Sequence, residues 1–214
     1  MVWDVWVRVG HWLVVALIGF QFFSGGDLDL IDWHAWTGIA LLTWVAFRVL
    51  WGFVGTRHAR FSDFVGSPAQ IKSSFRKLTQ RQHESVAGHT HAGGLGVIAL
   101  LGLVALLAMT GLFATDDIIF DGPLSHWVDS DVAGTVTSVH HLLSKLLILT
   151  IVGHVVAIAW HQGVMKEPLI QGMLHGRKAG GQEAFGQAVL VRGLLVVGVC
   201  ALTIVGGLLA VGRF

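Results

Sequence analysis

Hydrophobic residues in this chain gather in five long stretches that are separated by polar segments. An α-helix needs about 20 mainly apolar residues to cross the hydrocarbon core of a membrane. Each stretch has roughly that length and contains at most one Asp, Glu, Lys or Arg. The pattern therefore predicts an all-α polytopic membrane protein with five transmembrane helices. The five stretches run from about Val5 to Phe23, Trp33 to Val54, Ala92 to Thr115, Val136 to Trp160 and Ala188 to Val211.

The composition agrees with this interpretation and limits the available chemistry. Of the 214 residues, 54% are hydrophobic and only 13% are charged, whereas about a quarter is usual in soluble domains. A net charge of +1 gives no indication of a nucleic-acid partner. The single cysteine, Cys200, excludes an internal disulfide, an iron–sulfur cluster held by the chain's own thiolates and haem attachment at a C-x-x-C-H motif. The twelve histidines are then the main candidates for chemistry, because histidine is the commonest metal ligand.

The polar segments differ in the sign of their charge, and this predicts an orientation. The segments after the first and third stretches contain aspartates and no base, so we expect both to face outward. The segments after the second and fourth contain most of the bases, among them Arg57, Arg60, Lys166 and Lys178. Because Lys and Arg accumulate in cytoplasmic loops, we expect a cytoplasmic N-terminus and a periplasmic C-terminus. Within the first basic segment, residues 67–80 are compatible with a short surface helix or with a loop.

Four histidines lie inside the predicted spans: His11, His34, His140 and His154. His140 and His154 are fourteen residues apart, which returns a helix to within about 40° and separates them by about 21 Å. They therefore face one side but belong to two different centres. By depth, His34 pairs with His140 and His11 with His154, while His141 points roughly 140° away from His154 and is the poorer candidate. A flat macrocycle with two open axial positions fits such pairs, so the sequence predicts two haem b groups per chain.

Two other interpretations of these histidines are possible from the residues alone. Histidine side chains also form hydrogen bonds between membrane helices. Four histidines that match in depth and in helix face favour cofactor binding over that account. A metal permease would pass an ion along a path of ligands. After His141 the span contains no further His, Asp or Glu until His154, and this long gap argues against such a relay.

Arg48 is a further candidate within the second span. It follows His34 by fourteen residues and therefore faces the same bundle interior about 21 Å away, at the depth of the second histidine pair. A guanidinium binds carboxylates in a bidentate manner, so a haem propionate is its predicted partner. The alternative is that Arg48 extends toward the cytoplasmic interface.

Arg57, His58 and Arg60 directly follow the second span and form a possible inner site of electron and proton exchange. Reduction of a haem adds negative charge, and reduction of a quinone also requires protons. Arginine stays charged and can hold that negative charge, whereas histidine titrates near neutral pH and can deliver a proton. The competing interpretation is that the cluster anchors the protein to lipid headgroups.

With these residues identified, the chain resembles the bacterial cytochrome b561 family of di-haem membrane proteins, which includes the b-type cytochrome subunits of nickel–iron hydrogenases. The resemblance covers about residues 1–178, and its most specific part is the stretch Phe47–Phe61. Further matches are Val2–Asp4, Arg8–Trp12, Trp33–Gly38, Gly111–Phe113, Thr137–His140 and Gly176–Lys178.

The resemblance implies a four-helix transmembrane bundle over residues 1–178 that holds two b haems on His11, His34, His140 and His154. Residues 179–214 would be a linker and an extra transmembrane helix outside that bundle. The implied activity is electron transfer across the bacterial cytoplasmic membrane, in a respiratory chain, between the quinone pool and a periplasmic redox partner such as a c-type cytochrome or an oxidoreductase subunit. The chain would act as an electron-transfer cytochrome or as a subunit of a quinone-linked oxidoreductase.

An alternative role is a haem-containing membrane anchor for a redox enzyme.

Two departures from the family pattern lie close to His140 and so concern the haem assigned to His34 and His140. His141 stands where an acidic residue is common, and Lys145 stands where an amide is common.

Overall fold

The computed structural model describes residues 2–80, 88–176 and 186–212. Within these ranges the regular structure is helical, apart from one isolated β-bridge between Thr115 and Asp121. Five helices are long and apolar enough to cross a membrane, which confirms the prediction of an all-α polytopic protein. These are α1 (Val5–Ser24), α2 (Ile31–Val54), α5 (His91–Gly111), α6 (Ser130–Gly163) and α8 (Gln187–Val211). The short helices are α3 (Phe61–Phe64), α4 (Pro68–Thr79) and α7 (Leu169–His175).

Two helices end at different residues from those that hydropathy predicted. Helix α5 ends at Gly111 rather than near Thr115, because the chain turns and the Leu124 N–H bonds back to the Leu112 carbonyl at 2.8 Å. Helix α6 has 34 residues, about 51 Å at 1.5 Å per residue, whereas the hydrocarbon core is about 30 Å thick. Hydropathy detects only the part of such a helix that lies in the apolar layer.

Helix α4 settles the choice between surface helix and loop for residues 67–80. The Ser67 side chain accepts a hydrogen bond from the Gln70 backbone N–H, and the Gln70 side chain accepts one from the Ser67 N–H. Pro68 occupies the first turn, where its missing N–H costs nothing. This capping box starts a helix without help from an apolar environment.

The chain divides into two compact units. The first unit contains residues 1–10, 48–100 and 150–195, and its largest fully buried side chains include Trp51 and Phe64. The N-terminal segment is part of this core, since Val2 is buried and its N–H donates to the Gly176 carbonyl at 2.8 Å. Gly52 permits close packing here, because a Cβ at that position would overlap the ring of Phe61.

Within the first unit, the start of α8 is joined to the first two spans. The Trp6 indole N–H donates to the Val189 carbonyl at 3.2 Å, and Arg192 Nη1 donates to the Val54 carbonyl at 3.1 Å. Gly193 lies against the Trp6 ring so closely that a Cβ there would overlap it. The start of the fifth helix is therefore packed against α1 and α2.

The second unit contains residues 11–47, 101–149 and 196–214. Ile39, Leu124 and Leu208 form a buried cluster in this unit, and Leu208 belongs to α8. Leu112, Phe113, Ile204 and Val205 pack against the cluster.

Candidate cofactor site

His34 on α2 and His140 on α6 face each other in the second unit. Their ring centroids are 6.3 Å apart and their planes make an angle of 71°. An imidazole nitrogen lies about 2.0 Å from a bound metal ion and about 1.1 Å from its own ring centre, so two rings on opposite sides of one ion have centroids about 6.2 Å apart. The two rings thus have the separation of axial ligands on a single iron.

The protonation of His34 is fixed by Ser24, which ends α1. The Ser24 Oγ lies 3.2 Å from His34 Nδ1 and donates its only proton to the Phe20 carbonyl at 2.8 Å. The hydroxyl oxygen therefore accepts from the ring, and Nδ1 is the protonated nitrogen. In a neutral imidazole the lone pair is then on Nε2, which is the arrangement that a metal ligand requires.

His140 reaches the same state with different partners. Its Nδ1 lies 3.0 Å from the Leu107 carbonyl, which can only accept, and 3.2 Å from Thr110 Oγ1. The Thr110 hydroxyl donates to the carbonyls of Leu106 and Leu107, both at 2.9 Å. Nδ1 of His140 is therefore the donor, and its Nε2 also has the lone pair. Both rings fit an iron that is bound between them.

Two glycines provide the space that these imidazoles occupy. A Cβ on Gly25 would lie 3.0 Å from His34 Cε1, and one on Gly111 would lie 3.2 Å from His140 Cε1. Either contact is too close for an unshifted ring. Sequence reasoning missed Ser24, Gly25 and Thr110. The signal available was that each stands at the end of an apolar span, where a hydroxyl or a glycine is otherwise unneeded.

His141 and Lys145 lie on the other side of α6, and both are exposed. The His141 ring centroid is 6.2 Å from that of His140, but this is contact between sequence neighbours. The exposure of His141 agrees with its predicted direction, away from the paired imidazoles.

His154 is half-buried in the first unit, and His11 is half-buried in the second. The His11 ring packs edge-on against Trp12, with centroids 5.1 Å apart. Their pairing as ligands of a second haem stays a prediction from the sequence.

Arg48 is buried in the first unit, with 9% of its surface exposed. Its guanidinium carbon lies 5.4 Å from the centroid of the Phe61 ring, a distance at which a cation is attracted to an aromatic face. Among the described residues, Nη1 of Arg48 has no hydrogen-bond partner. A buried donor without an acceptor is costly, so this nitrogen fits a carboxylate other than those of the described residues.

The three bases after the second span have three different environments. Arg60 Nε donates to the Gly55 carbonyl at 2.9 Å and so binds the backbone just after α2. The Arg57 side chain is 74% exposed and lies 3.7 Å from Asp63. His58 is largely buried, and its Nδ1 lies 2.8 Å from Asp63 Oδ2. Only His58 combines a titratable ring with a fixed carboxylate partner, which sequence reasoning about the three bases did not identify.

A bare metal ion has less support from the side chains. Within residues 2–80, 88–176 and 186–212, no three His, Cys, Asp or Glu side chains come together as a metal-ion site. The paired imidazoles supply only two ligands, and an iron that also has four macrocycle nitrogens needs only those two.

Comparison with known proteins gives one match. A family model described as prokaryotic cytochrome b561 matches residues 2–176, which is most of the chain. Neither the curated proteins nor the solved structures give a match. The family binds b-type haem and transfers electrons across membranes, and the five apolar helices agree with a multi-pass bacterial membrane protein. With this match over α1 to α7 and two imidazoles arranged for one iron, the chain belongs to the prokaryotic cytochrome b561 family.

Proposed function

We propose that this chain transfers electrons between the quinone pool and a periplasmic redox partner through two b haems, each held by two histidines. The observation that supports this most strongly is the His34–His140 pair, with its 6.3 Å ring separation and both Nε2 lone pairs available. When bound, each haem iron carries one electron by changing between the ferric and ferrous states.

The chain's own residues hold and orient the ligands at the first site. Ser24 and the Leu107 carbonyl keep His34 and His140 in the metal-binding tautomer. Such outer partners also fix the direction of each ring.

The second haem would be held by His11 and His154, as the spacing along the spans predicts. Arg48 would bind one of its propionates through the unpartnered Nη1. A bidentate guanidinium–carboxylate pair makes two buried charges tolerable together. Residues 1–178 would then form the haem-binding bundle, and residues 179–214 would be the linker and extra helix. Of that linker, residues 179–185 lie outside the described part of the chain.

The exchange site for quinone would be the segment that contains Arg57, His58 and Arg60, on the cytoplasmic side. Quinone reduction consumes protons as well as electrons, and His58 can pass a proton while Asp63 holds its ring. The exposed Arg57 adds positive charge beside this pair. The competing role of the segment is contact with lipid headgroups.

The periplasmic partner would be a c-type cytochrome or an oxidoreductase subunit that meets the aspartate-containing loops between α1 and α2 and between α5 and α6. Charge complementarity favours a partner with a basic surface around its redox centre. This assignment depends on a cytoplasmic N-terminus, which the distribution of bases in the loops supports.

Haem quantification and a vesicle assay test the proposal together. We expect two haems per chain, and acid–acetone should extract both because no covalent attachment motif is present. In vesicles that enclose ferricyanide, an impermeant external reductant should reduce it only when the protein is present with both haems. One haem per chain, or two haems without transfer across the membrane, would contradict the proposal.

The role of His58 has its own test. In His58→Gln, both haems should remain bound, while the quinone-linked rate falls and loses its pH dependence between about pH 5.5 and 8. Arg76→Gln, which removes an exposed base from α4, is the matched control and should leave the rate unchanged. Equal behaviour of the two variants would favour the lipid-anchoring role.

A further inference from the structure

Asp4 is a fully buried carboxylate in the first unit, with no exposed surface. Its Oδ1 accepts from the Val7 backbone N–H at 2.9 Å. Its Oδ2 accepts from the Trp51 indole N–H at 3.0 Å and from the Thr56 hydroxyl at 2.6 Å. All three donors are neutral, so they stabilise the ionised carboxylate without cancelling its charge.

The surroundings of Asp4 are shaped to deliver these donors. Trp51 is 1% exposed, and a Cβ on Gly55 would collide with its indole ring. The chain has this glycine directly after the end of α2, one turn beyond the tryptophan, and its missing Cβ leaves the ring free to reach Asp4. A buried charge in so specific an environment is costly to build, which suggests a role beyond packing.

Arg48 is one helical turn before Trp51 on α2 and therefore lies on the same face. Asp4 attracts the Arg48 guanidinium electrostatically, while three of the roughly four acceptor positions on its oxygens are taken by Val7, Trp51 and Thr56. The carboxylate thus balances the charge of Arg48 without occupying Nη1, which has no partner among the described residues. The guanidinium is left free to bind another anion.

We propose that Asp4 is a positioning residue for the haem assigned to His11 and His154: its fixed charge keeps Arg48 buried and available to a propionate, and it lowers the reduction potential of that haem. This inference rests on the proposed function. Adding an electron to the haem is less favourable near a buried negative charge, because buried charges are weakly screened.

Potentiometric titration of the purified holoprotein tests this, with haem content as a second measurement. Asp4→Asn keeps the shape of the side chain and removes the charge. We expect it to raise the potential of one haem only, by a tenfold or larger change in its reduction equilibrium, or about 59 mV for one electron. Asp4→Glu keeps the negative charge, so the reduction potential of that haem should stay close to the wild-type value.

Thr56→Val is the matched control, since it removes a hydrogen bond from the same carboxylate and leaves the charge in place. It should lower thermal stability and leave both potentials close to wild type. Arg48→Gln should shift the same haem in the opposite direction. In the double variant the net charge is restored, so the shift should be smaller, and this variant remains informative if Asp4→Asn alone does not accumulate.

The outcomes separate this inference from the function on which it rests. Fewer than two haems in the wild type would overturn the proposed function. Two haems whose potentials respond equally to Asp4→Asn and Thr56→Val would leave that function intact and overturn the role of Asp4.

Discussion

The His34–His140 site in the second unit and the Asp4–Arg48 site in the first use opposite kinds of polar group. Around His34 and His140 the partners are hydroxyls and backbone carbonyls, without formal charge. At the other site, Asp4 and Arg48 are themselves two buried charged groups that attract each other. Neutral acceptors select a tautomer and a direction for a ligand, whereas a buried charge changes the energy of an electron nearby. We infer that the first arrangement is suited to holding an iron and the second to adjusting its potential.

The largest effect should come from the imidazoles themselves. His34→Ala or His140→Ala should remove one haem completely and leave the other, because each iron loses one of two axial ligands. His141→Ala, an exposed neighbour on α6, should keep both haems. Haem content per chain measures this. A His141→Ala protein that loses a haem, beside a His140→Ala protein that keeps both, would reverse the assignment.

A smaller effect is expected from the neutral partners of the two rings. Loss of an outer partner typically lowers metal affinity by about 10- to 100-fold. Ser24→Ala should fall at the lower end of that range, since it removes the hydroxyl acceptor of His34 Nδ1 while a backbone partner, Gln21, stays. Thr110→Val should have a similar effect, because the Leu107 carbonyl still accepts from His140.

Haem retention during dilution in detergent compares these two variants. A loss of about 100-fold or more in either variant would mean that the remaining backbone partner does not hold its ring by itself.

A substitution that disturbs packing in the first unit should change stability by a free energy similar to or smaller than the loss of haem affinity above. Gly193→Ala should destabilise the protein by about 1–3 kcal/mol, because the new methyl group overlaps the Trp6 ring. Gly198→Ala on the same helix has open space around it and should be neutral or slightly stabilising, because alanine favours helices. Thermal unfolding in detergent distinguishes them. Should both variants melt alike, α8 would not be docked on Trp6.

The smallest effect concerns a carboxylate that lies outside the membrane spans, in the loop between α5 and α6. Backbone N–H groups of Phe120, Ile118 and Ile119 donate to Asp116 and hold its pKa below the ordinary value. The contribution of this group to loop stability is therefore present above about pH 3.9 and is lost as the pH falls through the lower folded-state pKa.

Hydrogen exchange of the loop amides should accordingly increase at acid pH in the wild type and depend less on pH in Asp116→Asn. The His34–His140 haem should be retained in both proteins. Identical pH profiles would show that the carboxylate charge does not hold the loop.

Hydropathy was sufficient to find the five spans, and 100° per residue was sufficient to separate His140 from the exposed His141 on α6. Those regularities also singled out His34 and His140, which the structure brings together. They carry no information about which residue of another helix stands opposite, so Ser24, Thr110 and the burial of Asp4 became visible only in three dimensions. The bases after α2 show a different limit. In the sequence the three residues form one group of bases. The structure shows that Arg60 binds the backbone, Arg57 is exposed and His58 pairs with Asp63.

The hydrogen bond between Trp6 and Val189 joins two residues that are 183 positions apart in the chain. Trp6 enters the membrane with the first helix, long before its carbonyl acceptor exists. Until α8 has been inserted, water or a lipid headgroup must satisfy the indole N–H, since hydrocarbon cannot. The contacts of α1 around Trp6 are therefore completed only when α8 is in place.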